Sequence, residues 1–320
     1  MNKSLSKFLQ LFIPLALGVL LIWYFYSKFT PQQWNELVFH FKNANYLLVT
    51  ASVLMSVLSH GIRAYRWNFM LEPLGYKPKL LNNFFAVSTA YFMNLFIPKS
   101  GEVSRAVVLD KYEKVPFEKG FGTIISERVV DLFFLFLFTI LAVLLQFDVL
   151  FDYISKLIPF SKLLIILCIL FLGLVVFYLF LKKSNGFLAS KIKTFARGLK
   201  EGVFSILKMK KKGAFIFHSL IIWGLYLFSF YTATLALPET STISFGIIII
   251  TFVVGSFTFA FTNSGLGYYP LAIAGILLLF GIPETAGTAL GWIVWTSNVI
   301  YIVVSGILSL VFLPIYNRKK

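Results

Sequence analysis

Apolar residues run along this chain in blocks separated by short polar stretches that hold most of the charge. Blocks of about 20 residues are long enough to cross a bilayer core as helix. They predict spans at 8–26, 46–64, 122–147, 163–181, 214–237, 244–262, 266–281 and 288–313, the seventh being short for a full crossing. Segment 82–97 (NNFFAVSTAYFMNLFI) is also apolar but is stopped early by Pro98. Proline has no N–H to donate and pushes its predecessor out of helical geometry. This segment therefore reads as a re-entrant half-helix, which protein rather than lipid must cover. If 244–262 and 266–281 form one re-entrant pair, eight crossings become six with the same parity. Segment 31–42 opens with Pro31 and carries Trp34, Leu37, Val38 and Phe41 at helical spacing, the pattern of a short interfacial helix. The expected fold is an all-α integral membrane protein of about eight transmembrane helices plus a re-entrant half-helix. It forms one polytopic domain over 1–320, with half-repeats around 46–147 and 214–313.

Composition agrees. Hydrophobic residues make up 58% of the 320 and charged residues 13%, against about 25% charged in a soluble domain. Lys3 and Lys7 precede the first apolar run, but no small-x-small cleavage pattern follows it, so it reads as a span and not as a leader. The net charge of +16 has a simple origin. With the N-terminus inside, segments 1–7, 63–79, 98–120, 182–212 and 318–320 face the cytoplasm and hold 24 of the 29 Lys/Arg. That is the positive-inside bias. It puts both termini in the cytoplasm, in the cell (plasma or inner) membrane. No basic module separates as a nucleic-acid domain, so no nucleic-acid partner is expected. Segment 182–212, with ten basic residues and Glu201 as its one acid, fits either a surface helix on anionic headgroups or an ordinary basic loop.

Specialised chemistry is scarce. Cys168 is the single cysteine, so no intramolecular disulfide can form. His40, His60 and His218 lack metal-ligand spacing, and no phosphate-binding loop, dinucleotide fingerprint or nucleophile elbow is present. No catalytic residue, metal or cofactor is predicted.

Charges inside the apolar frame are informative, because each costs about 2.5–3.5 kcal/mol at a helix centre on insertion scales. After Pro98 come Lys99, Gly101, Glu102 and Arg105. Gly101 permits a sharp reversal, and Glu102 and Arg105 fall at i,i+3 on the next helix, where they can pair. Free N–H groups at that helix start, with Lys99 and Arg105 nearby, read as an anion site, the alternative being a cytoplasmic turn with a surface ion pair. Glu127, Arg128 and Asp131 follow early in the next span. Glu127 and Asp131 share a face and Arg128 can pair with Asp131. Either ligand contact or helix–helix glue would account for them. Arg63 and Arg66, beside Tyr65 and Trp67 at the end of the second span, read as a basic flank with an aromatic belt, the alternative being an extension of a basic vestibule.

The second half echoes the first. Ser100-Gly101 and Val115-Pro116 precede one span; Ser264-Gly265 and Ile282-Pro283 precede another. Twelve residues past each proline stand Arg128 and Trp295, and fifteen past stand Asp131 and Asn298. With 244–281 re-entrant, the two motifs enter from opposite sides, the inverted-repeat arrangement of secondary transporters. Gly265 and Gly267 allow an unwound turn, while Asn263, Ser264, Tyr268 and Asn298 offer neutral hydrogen bonds. This second half-site can equally be read as a helix-packing glycine pair.

Asn94, Pro98, Gly101, Glu102 and Arg105, then Glu127, Arg128 and Asp131, then Gly265-Leu266-Gly267 and a terminal span resemble the flippase-like membrane domain of the lysylphosphatidylglycerol synthase superfamily, in a standalone form. The resemblance runs over most of the chain. It implies a translocase of anionic or polyprenyl-phosphate-linked lipids, with Lys99, Gly101, Glu102, Arg105, Arg128 and Asp131 at the headgroup. A glycosyltransferase or aminoacyl transferase is the implied partner. Lysyl transfer in that family belongs to a separate soluble domain, which the sequence to Lys320 does not include, so such transfer is not expected of this polypeptide. The family's Pro-Gly-Gly-Leu-Gly-x-x-Glu becomes Asn263-Ser264-Gly265-Leu266-Gly267 with Pro270 in the acid's place. The arginine common in its last span is absent from Trp295 to Asn298. A membrane-embedded enzyme, or an accessory subunit of lipid or envelope-glycan modification, is the alternative.

Overall fold

The computed structural model describes residues 29–97, 99–157, 209–262 and 264–318, with a few positions before Phe29 and Leu172-Gly173. The expected spans 8–26 and 163–181, the basic segment up to 208, Cys168, Pro98 and Asn263 lie outside the described residues or almost wholly so. Every regular element among the described residues is helical.

Helix α1 is Pro31–Asn43, started by a capping box in which Thr30 and Gln33 satisfy each other's backbone N–H. It packs on the long C-terminal helix, where Thr285 donates to Glu36 at 3.1 Å. α2 is Tyr46–Leu71, whose Asn45 cap accepts from the N–H groups of Leu47 and Leu48. Its 26 residues reach about 39 Å at 1.5 Å per residue, a turn or two beyond the 46–64 expected from the sequence. α3 is Leu80–Phe96, α4 Ser100–Glu113 and α5 Phe117–Leu145, followed by α6, Phe147–Leu157. In the second half, α7 is Lys212–Thr234, α8 the short Pro238–Ser241, α9 Phe245–Phe261, α10 Tyr268–Leu279 and α11 Glu284–Tyr316. α2 with its 3-10 extension, α5, α7 and α11 are long and apolar enough to cross a membrane. The chain is a multi-pass, all-α membrane protein.

The two halves share one element order: a long helix, a 17-residue helix, a break, a shorter helix, and a long helix capped by proline. The caps have nearly the same backbone, with φ −50 and ψ 137 at Pro116 and φ −54 and ψ 138 at Pro283. At both breaks the chain turns through left-handed residues. Lys99 has φ 60 at the first; Ser264, Gly265 and Gly267 have φ 52, 77 and 75 at the second.

Contacts along α11 fix how the two hairpins lie. Asn82 exchanges two hydrogen bonds with Asn317, at 3.0 and 2.9 Å, Phe85 packs on Tyr316, and Phe92 sits against Gly306. α3 thus runs back along the C-terminal half of α11. In the other half, a Cβ on Gly287 would meet Ala274 Cα at 2.9 Å, Gly291 faces Pro270, and Gly265 faces Trp295. α10 thus covers the N-terminal half. The hairpins α3–α4 and α9–α10 come from opposite ends and meet tip to tip near the middle of α11. Ser264 Oγ donates to the Asn94 carbonyl across the junction at 3.3 Å. α5 repeats the division: Arg105 and Glu102 meet it at Glu127 and Arg128, while Phe252 meets it at Phe138. Segments 244–262 and 266–281 are therefore the two arms of a re-entrant hairpin, the second of the two topologies the sequence allows.

The apolar core lies mainly in the second half, around Trp223, Phe230, Ile249, Ile273 and Leu290. A smaller cluster around Trp67, Leu71, Leu109, Ile124 and Phe215 packs on the other side. The polar interior lies between them.

Candidate functional site

α2 carries a polar stripe at helical spacing, Ser52, Ser56, Ser59, His60, Arg63 and Arg66, all buried. It faces α7, where Ser229 bonds Ser52 and Ser56 at 3.0 and 3.1 Å, and where Ser219 accepts from Arg66 Nη1 at 2.6 Å. α2 and α7 begin the two halves, so the stripe runs along the seam between them.

Seven charged side chains converge on this seam. Glu127, whose side chain is 1% exposed, is the centre: Oε1 takes Arg63 and, at 3.2 Å, Arg66, while Oε2 takes Arg105 at 3.0 Å. Asp131, one turn along α5, takes Arg63 at 2.8 Å, Arg66 at 3.6 Å and Arg128 at 3.3 Å. Arg128 also reaches Glu102 at 3.1 Å. Burial of a charge is very costly unless it is paired and hydrogen-bonded. The cluster meets the pairing part of that requirement by sharing Glu127 and Asp131 among three guanidinium groups each, with Glu102 on Arg128. Aromatic faces complete it. Arg105 stacks on Trp67 with its Cζ 3.7 Å from the ring centroid, and Trp67 Nε1 donates to Thr123 Oγ1 at 2.8 Å. Arg66 lies over Phe215 at 5.0 Å.

Three of the arginines surround a cavity of ≈ 10 Å³, lined by Arg63, Arg105, Arg128, Tyr91 and Asn94 with Val87 and Ala90. That is space for about one water. Arg63 Nε and Arg105 Nε are buried with no hydrogen-bond partner among the described residues. Arg128 is the outward member, its side chain 36% exposed. On the far side, Arg63 Nη2 donates to the Tyr226 hydroxyl at 3.3 Å, which lies 3.4 Å from the Tyr91 hydroxyl. His60 stacks on Tyr91 at 4.2 Å and bonds Tyr301 at 3.0 Å.

Of the first-motif residues, Glu102, Arg105, Arg128 and Asp131 come together here. The expected pairing of Glu102 with Arg105 is corrected: each finds its partner on α5 instead, Arg105 at Glu127 and Glu102 at Arg128. Lys99 stands apart and exposed at the hairpin tip. Gly101 holds the turn closed, its N–H donating to Asn94 Oδ1 at 2.7 Å, so that donor is already engaged. In the second motif, Trp295 Nε1 donates to the Ser264 carbonyl at 2.9 Å and Asn298 bonds its own helix at Val294. Tyr268 is exposed, and Gly265 and Gly267 are buried in the turn. Trp295 ties α11 to the second break as Arg128 ties α5 to the helix after the first.

Arg63 and Arg66 are buried ion-pair partners and not a basic flank, which corrects that expectation; α2 continues to Leu71, so both lie inside it, and Glu127, already among the charges of the frame, is their shared carboxylate. The stripe from Ser52 to Arg66 was the readable signal. No group of His, Cys, Asp or Glu able to hold a metal ion occurs among the described residues.

Residues 11–318 match the family model described as "Lysylphosphatidylglycerol synthase TM region". A 104-residue stretch is 32% identical to UPF0104 membrane protein MJ1595 of Methanocaldococcus jannaschii, covering 32% of this chain and 31% of that protein. Another 99 residues are 30% identical to Glycosyltransferase AglD of Haloferax volcanii, covering 31% of this chain and 16% of that protein. These matches span under a third of either relative. No solved structure matches. With the family model covering nearly the whole chain, the protein belongs to the lysylphosphatidylglycerol synthase TM region family.

Proposed function

We propose that this protein moves anionic or polyprenyl-phosphate-linked lipids across the cell membrane, with the headgroup phosphate bound in the arginine-lined cavity beside the first hairpin. The observation that carries this reading is the cavity faced by Arg63 of α2, Arg105 of α4 and Arg128 of α5. Guanidinium groups present forked donors that suit phosphate oxygens, and two buried Nε donors there have no hydrogen-bond partner among the described residues. Opposed broken helices around a central site are also how secondary transporters are built. The cavity is water-sized, so a phosphate enters only when the hairpins part. Arg128, the most exposed of the three, is the first contact, and Lys99 at the tip draws the anion in. The positive-inside bias of the basic segments supports placing both termini in the cytoplasm.

Purified protein in liposomes should accelerate transbilayer movement of a fluorescent anionic lipid, and Arg105→Ala and Arg128→Ala should each slow it at least about tenfold, the loss of one charge-assisted contact of about 1.5–3 kcal/mol. Equal rates in wild type, both variants and protein-free liposomes, across a lipid panel, would sink the proposal.

One relative is named a glycosyltransferase, and this supports a second reading: an accessory membrane unit that serves a lipid-modifying transferase. Co-purification of such a transferase, with undiminished modification after neutralising Lys99, Arg105 and Arg128, would favour it.

A further inference from the structure

We propose that the site is built for a headgroup carrying one negative charge, a phosphodiester, and that Glu102 is the residue that sets this limit. The inference rests on the headgroup reading above and adds the charge class. Its basis is the balance of the cluster. Arg63, Arg66, Arg105 and Arg128 bring four positive charges; Glu127, Asp131 and Glu102 bring three negative ones. Arginine stays protonated in proteins, and each carboxylate lies within ion-pair distance of at least one arginine, so all seven count. His60 is hydrogen-bonded to Tyr301 and is counted as neutral. One positive charge is left over. Lys99 is exposed at the tip and outside the buried set.

In a low-dielectric interior, net charge is expensive and a bound ligand is favoured when it brings the total toward zero. A phosphodiester does so. A phosphomonoester with its second proton gone, or a diphosphate, overshoots and leaves an unbalanced negative charge.

Glu102 is singled out by its surroundings. Glu127 is enclosed by three arginines and Asp131 is held by three. Among the described residues Glu102 has one ion-pair partner, Arg128, where each of the other two carboxylates has three. It is 17% exposed, beside the cavity arginine that is most accessible. An incoming phosphate must share Arg128 with this carboxylate. One negative charge on the ligand can be accommodated there; a second faces Glu102 directly.

The test is lipid binding to purified protein in a neutral detergent at about pH 9.5, well above a phosphomonoester's second pKa of about 6 in water and above the higher value an interface gives it. Dioleoyl phosphatidylglycerol supplies the diester and dioleoyl phosphatidic acid the monoester on the same chains. Wild type should bind the diester at least about tenfold more tightly. Glu102→Gln, which keeps the shape and the acceptor for Arg128, should remove or reverse that preference, and Glu102→Asp should keep it. Equal or tighter binding of phosphatidic acid by wild type, or an unchanged ratio in Glu102→Gln, overturns the charge rule. Arg128→Gln separates that failure from failure of the site itself. If it leaves binding of both lipids intact, or if neither lipid binds wild type, the headgroup site is wrong. If it weakens both lipids while the ratio disobeys, only the charge rule is wrong. Water-soluble glycerophosphoglycerol is the last arm. Binding much weaker than the lipid's supports a lipid ligand; binding equally tight moves the site to soluble phosphodiesters and overturns the lipid reading.

Discussion

Neutralising Glu127 should be the most damaging single change in the polar interior. Glu127→Gln keeps the side chain's volume but removes the charge shared by Arg63, Arg66 and Arg105. Asp131 still reaches Arg63 and Arg66, whereas Arg105 loses the one carboxylate it contacts. Its remaining support is the Trp67 face, worth about 2 kcal/mol when desolvated. Breaking a buried pair by removing one partner costs about 3–5 kcal/mol, and here one orphaned guanidinium accounts for a cost in that range. Asp131→Asn should cost less, since each of its arginines keeps another carboxylate: Arg63 and Arg66 keep Glu127, and Arg128 keeps Glu102. Glu102→Gln should cost least, because its partner Arg128 is part-exposed and still contacts Asp131. Thermal unfolding in detergent, or protease resistance at graded temperature, ranks the three. A flat order, or Glu102→Gln as the worst, would refute the shared-carboxylate account.

Further outcomes follow from the hairpins and the aromatic shelf. Gly101→Ala should cost about 1–3 kcal/mol, as overpacking does, because a Cβ there would run into the Ala90 carbonyl and the Asn94 side-chain amide at 2.6 Å; hydrogen exchange should show the loss concentrated in 90–105. Trp67→Leu should lower stability by roughly 2 kcal/mol or more through lost cation–π contact and should slow lipid movement, whereas Trp67→Phe should recover part of both. Cysteines introduced at 82 and 317 should cross-link readily, and a cysteine at 82 paired with one at 287 should not, because α3 and α10 cover opposite halves of α11. Cross-linking of 82 to 287 in monomeric protein would contradict the opposed hairpins.

Much of the frame was legible because membrane helices advertise themselves by length. The break at Pro98, the left-handed turn at Gly265 and Gly267, and the matched prolines at 116 and 283 were all readable, since proline and glycine restrict or release the backbone locally. The interior was read less well. Spacing alone favoured a Glu102–Arg105 pair within one helix, but tertiary neighbours on α5 lie closer to each of them. Arg63 and Arg66 looked like a flank because an end at residue 64 placed them at the interface. The helix runs seven residues further, and that extra length turns an apparent belt into an interior. Trp295 and Asn298 were noted by position, but that Trp295 holds the second break through Ser264 needed coordinates.

The most direct test of the central claim is a cryo-EM structure of the protein in nanodiscs containing phosphatidylglycerol. The account predicts a headgroup phosphate within hydrogen-bond distance of Arg63, Arg105 and Arg128, with the hairpin tips parted at Asn94 and Ser264. A closed arginine cavity, with ordered lipid headgroups bound only elsewhere on the protein, would contradict it.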